Sequence, residues 1–112
     1  MKDQIIFSKV CLLIGNSNIS KDNFINNFVS DYNLKYEDIT DSISLDYVNE
    51  ISTRSEPYLY NIDVDKLTIK NQNVILKFIE EPINSCYIFL RTKNSFNIIP
   101  TIKGRCCVIN LG

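Results

Sequence analysis

Residues 57–90 read PYLYNIDVDKLTIKNQNVILKFIEEPINSCYIFL. The run Pro57 to Ile62 is apolar and aromatic, which predicts a strand. Thr68 to Glu81 then carries Ile69, Val74, Ile75, Leu76, Phe78 and Ile79 at helical spacing, a wide apolar stripe that Pro82 terminates. Cys86 to Leu90 is a continuous apolar run, the pattern of a strand buried on both faces. Two strands joined through a helix of this length run parallel, because a tight hairpin is the antiparallel solution. One strand–helix–strand unit therefore sets the class of the fold.

The same alternation continues in both directions. Upstream, Lys9 to Ile14 is an apolar run closed by Gly15 and reads as a buried strand. Lys21 to Ser30 follows as a helix with Phe24, Ile25, Phe28 and Val29 on one face and Ser20 as its cap. Tyr36 to Ile39 is a short second strand, and Ser44 to Ser52 a helix carrying Leu45, Val48 and Ile51, capped by Ser42 or Ser44. Downstream, Ile98 to Lys103 forms a helical turn around Pro100, and Cys106 to Leu111 the last strand. The expectation is an α/β fold: a five-stranded parallel sheet covered by helices on both faces, in three layers, as one domain over residues 1–112. No internal repeat, low-complexity tract or linker interrupts it.

Composition narrows the function classes. Of 112 residues, 45% are hydrophobic and 22% charged, a globular balance. The net charge of −1 argues against a protein that holds DNA through a strongly basic surface. No stretch approaches the apolar length of a membrane helix, and the first ten residues lack a signal-peptide core, so a cytoplasmic location is expected. Cys11, Cys86, Cys106 and Cys107 form no C-x-x-C pair, and there is no histidine. A zinc site is therefore not expected. Cys11, Cys86 and Cys106 sit in apolar runs and read as buried free thiols. Without histidine, Ser-His and Cys-His nucleophile systems are excluded.

One chemical motif is present in altered form. A phosphate-binding loop has the pattern G-x-x-x-x-G-K-[ST] between a strand and a helix; its backbone N–H groups and lysine hold phosphate, and its hydroxyl holds magnesium. Residues 15–22 occupy that context, with Gly15 and Lys21 at the right spacing, but Ser20 replaces the second glycine and Asp22 the hydroxyl. A Cβ at Ser20 restricts the backbone where phosphate approaches, and a carboxylate at Asp22 repels it. The plainer reading is a strand–loop–helix turn with Ser20 as cap and Asp22 favouring the helix N-terminus. After the next strand, Asp63 and Asp65 could hold a metal, or simply cap a turn.

Three segments then carry a resemblance: Asp65-Lys-Leu-Thr68, Asn73-Val-Ile-Leu-Lys-Phe-Ile-Glu-Glu-Pro82 and Ile98-Ile-Pro-Thr-Ile-Lys-Gly-Arg-Cys106. In order and spacing they are similar to the delta-prime and gamma/tau subunits of the bacterial DNA polymerase III clamp loader, which are AAA+ proteins. The similarity spans residues 58–111 without a gap. It implies a P-loop fold, and it aligns Ile62 with the metal-binding aspartate and Asp63 with the catalytic glutamate of active members. Isoleucine cannot coordinate magnesium, so the resemblance is to the non-hydrolysing, delta-prime type. Thr92 aligns with the sensor that reads the terminal phosphate, although a strand-end threonine is the plainer reading. Arg105 aligns with the arginine that the family projects into a neighbour's ATP site, the family's preceding serine being Gly104 here. The family's zinc-binding cysteine insertion is absent, and its lid and collar domains would follow Gly112.

The function expected is a non-catalytic, clamp-loader-like protein acting in DNA replication through protein–protein interaction. It would supply Arg105 in trans or modulate the replisome, with no cofactor of its own. Clamp-loader subunits, a sliding clamp or other replication proteins are the expected partners, with DNA contacted only indirectly, no membrane, and oligomers allowed. Two alternatives stand beside it: a reduced ATPase using Lys21, Asp63 and Asp65 with Mg-ATP, and a DNA-binding replication accessory. The 18 isoleucines and 14 asparagines point to an AT-rich genome such as that of a phage or mobile element.

Overall fold

A computed structural model describes residues 10–39, 43–51, 53–80 and 86–111. The strands are β1 (Val10–Ile14), β2 (Lys35–Ile39), β3 (Tyr58–Asp63), β4 (Cys86–Thr92) and β5 (Cys107–Asn110). The helices are α1 (Asn18–Asp31), α2 (Leu45–Ile51), α3 (Ile69–Glu80) and α4 (Pro100–Lys103), with single 3-10 turns at Val64–Lys66 and Ser95–Asn97. The five strands form one sheet in the order β2-β3-β4-β1-β5, and every pairing is parallel. The expected α/β class and five-stranded parallel sheet are therefore what the chain adopts.

Alternation along each strand sorts the core into two layers. On one face, Cys11, Leu13, Leu59 and Phe89 meet Ile25 and Phe28 of α1. On the other, Leu12, Tyr60, Ile62, Ile88 and Leu90 meet Val48 and Ile51 of α2, Ile75, Phe78 and Ile79 of α3, and Ile102 of α4. Central β1 and β4 are apolar on both faces because helices cover both. All strands point the same way, so the loops after β1, β3 and β4 gather at one edge of the sheet. That edge is where ligands bind in open α/β sheets.

Several boundaries differ from the sequence reading, each for a local reason. The helix after Gly15 starts at Asn18, three residues before the expected Lys21, and its cap is Ser17 rather than Ser20. Ser17 is extended and its Oγ accepts the Ser20 N–H at 3.1 Å. Its first turn, Asn18-Ile19-Ser20, is hidden from a periodicity search because Ile19 is 73% exposed. β4 runs two residues past Leu90, because the ladder with β1 continues to the Ile14–Thr92 pair even though Arg91 and Thr92 are polar. Ile69 is exposed on the first turn of α3 and stands outside the apolar stripe. Ser44 is the cap of α2, its Oγ accepting the Tyr47 N–H; Ser42 and Ser52, like Lys9, Glu81 and Pro82, lie outside the described residues.

At the far end of α1, Asn33 takes a φ of 53°, the left-handed region that asparagine tolerates better than most residues. Cys11 and Cys86 are buried as expected, but Cys106 is half-buried and precedes β5 instead of joining it. None of the four cysteines is in a disulfide, and among the described residues no group of cysteines and carboxylates could hold a metal.

Candidate functional site

The loop between β1 and α1 is only Gly15 to Ser17. The Gly15 N–H donates to the Thr92 carbonyl at 3.1 Å, tying the loop to the end of β4. Two amides that a phosphate would seek are already engaged: Ser20 N–H with Ser17 Oγ, and Lys21 N–H with the Ser17 carbonyl at 3.3 Å. One turn into α1, Lys21 folds back beneath the loop. Its Nζ donates to the Gly15 carbonyl at 2.7 Å and the Thr92 carbonyl at 3.3 Å, and the residue is 1% exposed. Burial, and secondarily the Arg91 charge, lowers its pKa, while Asp65 and Asp63 act in the opposite direction. The lysine amine is thus committed to two backbone carbonyls at the base of the loop.

The ends of β3 and β4 complete this edge. Ile62 is fully buried. Asp63 caps the following 3-10 turn by accepting the Asp65 N–H at 3.1 Å. Asp65 accepts from Thr92 Oγ1 at 2.5 Å, Lys93 N–H at 2.9 Å and Asn97 Nδ2 at 2.9 Å. Burial pushes the Asp65 carboxyl up, but these hydrogen bonds and the Lys21 charge outweigh it and hold it below the ordinary carboxylate range. Thr92, at the sensor position, is buried and has its hydroxyl committed to Asp65 and the Asn94 backbone. Lys21, Asp63, Asp65 and Asn97 together line an open polar cavity of about 400 Å³.

Arg91 is the residue that sequence reasoning missed. It follows the apolar run of β4 and is only 9% exposed. Its Nη1 pairs with Asp22 Oδ1 at 2.5 Å, and its Nη2 reaches the Asn18 carbonyl and side chain at 3.4 Å. Asp22, read above as a group repelling phosphate, is the counter-ion of this guanidinium. A basic residue inside an otherwise apolar strand was the available signal, since a buried charge requires a partner.

The structure brings Gly15, Ser20, Lys21, Asp22, Asp63, Asp65 and Thr92 to one edge of the sheet. Arg105 is elsewhere. It precedes β5, so it stands at the start of the strands, roughly 16 Å from their ends by the rise of a five-residue strand. There its Nη2 lies 3.4 Å from Glu80 Oε1 at the end of α3, and the side chain remains half exposed. Glu80, an acid at a helix C-terminus where the dipole disfavours one, thus has a cation beside it.

Magnesium-nucleotide does not fit the residues present. The lysine amine is committed to two backbone carbonyls, two loop amides are bonded within the helix, and Asp22 is paired with Arg91. Ile62 brings methyl groups where a metal ligand would be required. The arrangement is chemically a closed, internally satisfied turn.

Comparison with known proteins agrees with the fold. The family profile described as DNA polymerase III, delta subunit matches residues 7–112. A search of curated proteins returns no match. Among solved structures, a RuvB variant from Thermotoga maritima superposes with a TM-score of 0.73 at 15% identity, covering 91% of this chain and 36% of RuvB. A DNA polymerase III gamma subunit-related protein from Thermotoga maritima superposes with a TM-score of 0.65 at 20% identity, covering 99% of this chain and 45% of that one. The chain thus spans less than half the length of either neighbour, and at these identities the likeness is one of fold. With the profile running over almost the whole sequence and the sheet that of an AAA+ P-loop core, the chain belongs to the DNA polymerase III delta-subunit family.

Proposed function

We propose that this protein is a non-catalytic, delta-prime-like clamp-loader module that acts in DNA replication by associating with other replication proteins. The observation that carries the reading is Lys21, turned inward and held by the Gly15 and Thr92 carbonyls. A subunit built this way contributes surface, not turnover. Arg105 supports a role in trans: it is half exposed and distant from its own loop. Clamp-loader subunits or a sliding clamp are the partners this family membership suggests, in the cytoplasm where replication proteins work. The isoleucine- and asparagine-rich composition is consistent with a phage or mobile-element source.

Affinity capture from a lysate containing replication proteins, paired with titration of Mg-ATP against the purified chain, tests this. Clamp-loader or clamp proteins should be enriched, and Mg-ATP should give no saturable binding. Micromolar Mg-ATP affinity that disappears in Lys21→Ala would reverse the reading in favour of an ATPase.

A further inference from the structure

The edge strand β5 lies beside central β1, and their parallel register sets Cys107 directly opposite Cys11. Both side chains fall on the α1 face of the sheet: Cys11 belongs to the core layer there, and Cys107 packs against it. The Cys11 S–H donates a hydrogen bond to the Cys107 sulfur, so the two sulfurs are in contact. Neighbouring strands lie about 4.8 Å apart, inside the roughly 4.4–6.8 Å Cα separation that a disulfide spans.

The other two cysteines are placed away from this pair. Cys106 packs against the opposite core layer, and its Sγ donates to the Ile102 carbonyl at 3.1 Å. Cys86 is buried in that same opposite layer, at the start of β4. Side chains on the two faces of a sheet are separated by the backbone itself, so neither competes for Cys11.

The paired thiols differ in access. Cys11 is fully buried, and no solvent-borne oxidant reaches it directly. Burial first, then Cys107 and Cys106, push its pKa up to about 12, so it stays protonated at neutral pH and is inert on its own. Cys107 is half-buried, on a strand whose outer edge has no neighbouring strand among the described residues. An oxidant therefore meets Cys107 first.

We propose that Cys107 is a peroxide-oxidised thiol and Cys11 its resolving partner, the two forming a reversible disulfide that staples β5 to β1. In the first step the Cys107 sulfur attacks hydrogen peroxide. The O–O bond breaks, the sulfur becomes a sulfenic acid, and one water leaves. In the second, the Cys11 sulfur attacks the Cys107 sulfur. The S–S bond forms, the S–O bond breaks, and the Cys11 proton leaves with the hydroxyl as a second water. The two thiols lose two electrons and the peroxide gains both. Contact between the sulfurs makes the second step intramolecular, which offsets the high pKa of Cys11. A dithiol reductant reverses the link by exchange. Because the link joins the first described strand to the last, it closes most of the chain into one loop and strongly restricts the unfolded ensemble. The inference is independent of the replication reading.

The test treats the purified full chain, reduced and then freed of reductant, with hydrogen peroxide, and follows intact mass and thermal melting. The monomer should lose two hydrogens without gaining oxygen, and its melting temperature should rise by about 10 °C. Dithiothreitol should reverse both. Cys106→Ser should leave the reaction intact and let fragment mapping assign the link to Cys11 and Cys107. Cys11→Ala should stop at a sulfenic acid on Cys107 that dimedone traps. If that variant does not fold, Cys107→Ser, at a partly exposed position, serves instead and should abolish the loss of two hydrogens. A link involving Cys86 or Cys106, disulfide-linked dimers alone, an unchanged melting temperature or no reaction would each overturn the proposal.

Discussion

Lys21 illustrates how one side chain can change role without changing identity. In an open phosphate loop a lysine of this position contributes to ligand binding and little to folding. Here it donates to two carbonyls in a buried setting. Lys21→Ala is therefore expected to lower stability by about 1–3 kcal/mol, through the cavity and the undonated Gly15 carbonyl. Thermal melts followed by circular dichroism would measure it, and an unchanged melting temperature would contradict the inward placement. Gly104 gives the opposite expectation. It sits at φ −68° and ψ −13°, an ordinary right-handed conformation, and an added Cβ would meet only the Pro100 carbonyl at 3.5 Å and the Thr101 carbonyl at 3.9 Å. Gly104→Ala should thus stabilise by about 0.4–1 kcal/mol, because it narrows the unfolded ensemble at no steric cost.

At the level of elements, the β1–α1 junction governs the site. Starting α1 at Asn18 uses up the loop that would otherwise wrap a phosphate, and Ser17 is what starts it there. Ser17→Ala should cost about 1 kcal/mol, the usual value of a side-chain cap. Amide exchange of Ser20 and its neighbours should accelerate with it. Exchange that stays slow would mean the first turn is held by something other than its cap. The β4 end matters equally. Arg91 and Thr92 extend the strand as polar residues, and each is held by an acid from a different element, Asp22 of α1 and Asp65 of the turn after β3. These two cross-links lock the loops of one sheet edge to each other, which is a structural use of groups whose counterparts elsewhere handle phosphate and metal.

For the whole molecule, the Asp65 carboxylate at that edge couples stability to acid. Asp65 has a folded pKa below its unfolded one. Its ionisation therefore favours the native state above the unfolded value of about 3.9, and that contribution disappears as pH falls through the lower, folded value. Melting temperature should drop over that acid range, and Asp65→Asn should make the drop shallower; an unaltered acid slope in the variant would refute the linkage. The molecule as a whole also separates its two arginines of interest by the depth of the sheet. Arg91 serves the interior of the loop edge, while Arg105 faces outward from the other edge beside Glu80.

The order of strands and helices and their parallel class were readable from the chain. Each depends on residue type and on spacings of a few positions, which is information carried locally. The destination of long polar side chains was not. Whether Lys21 points outward to phosphate or inward to carbonyls depends on Thr92, 71 residues away. Arg91 finds Asp22 across 69 residues, and Asn61 finds Asp38 across 23, only because the sheet sets those strands and α1 side by side. A flexible side chain has many directions of comparable energy in isolation, and the packed fold selects one by supplying the partner that satisfies its charge.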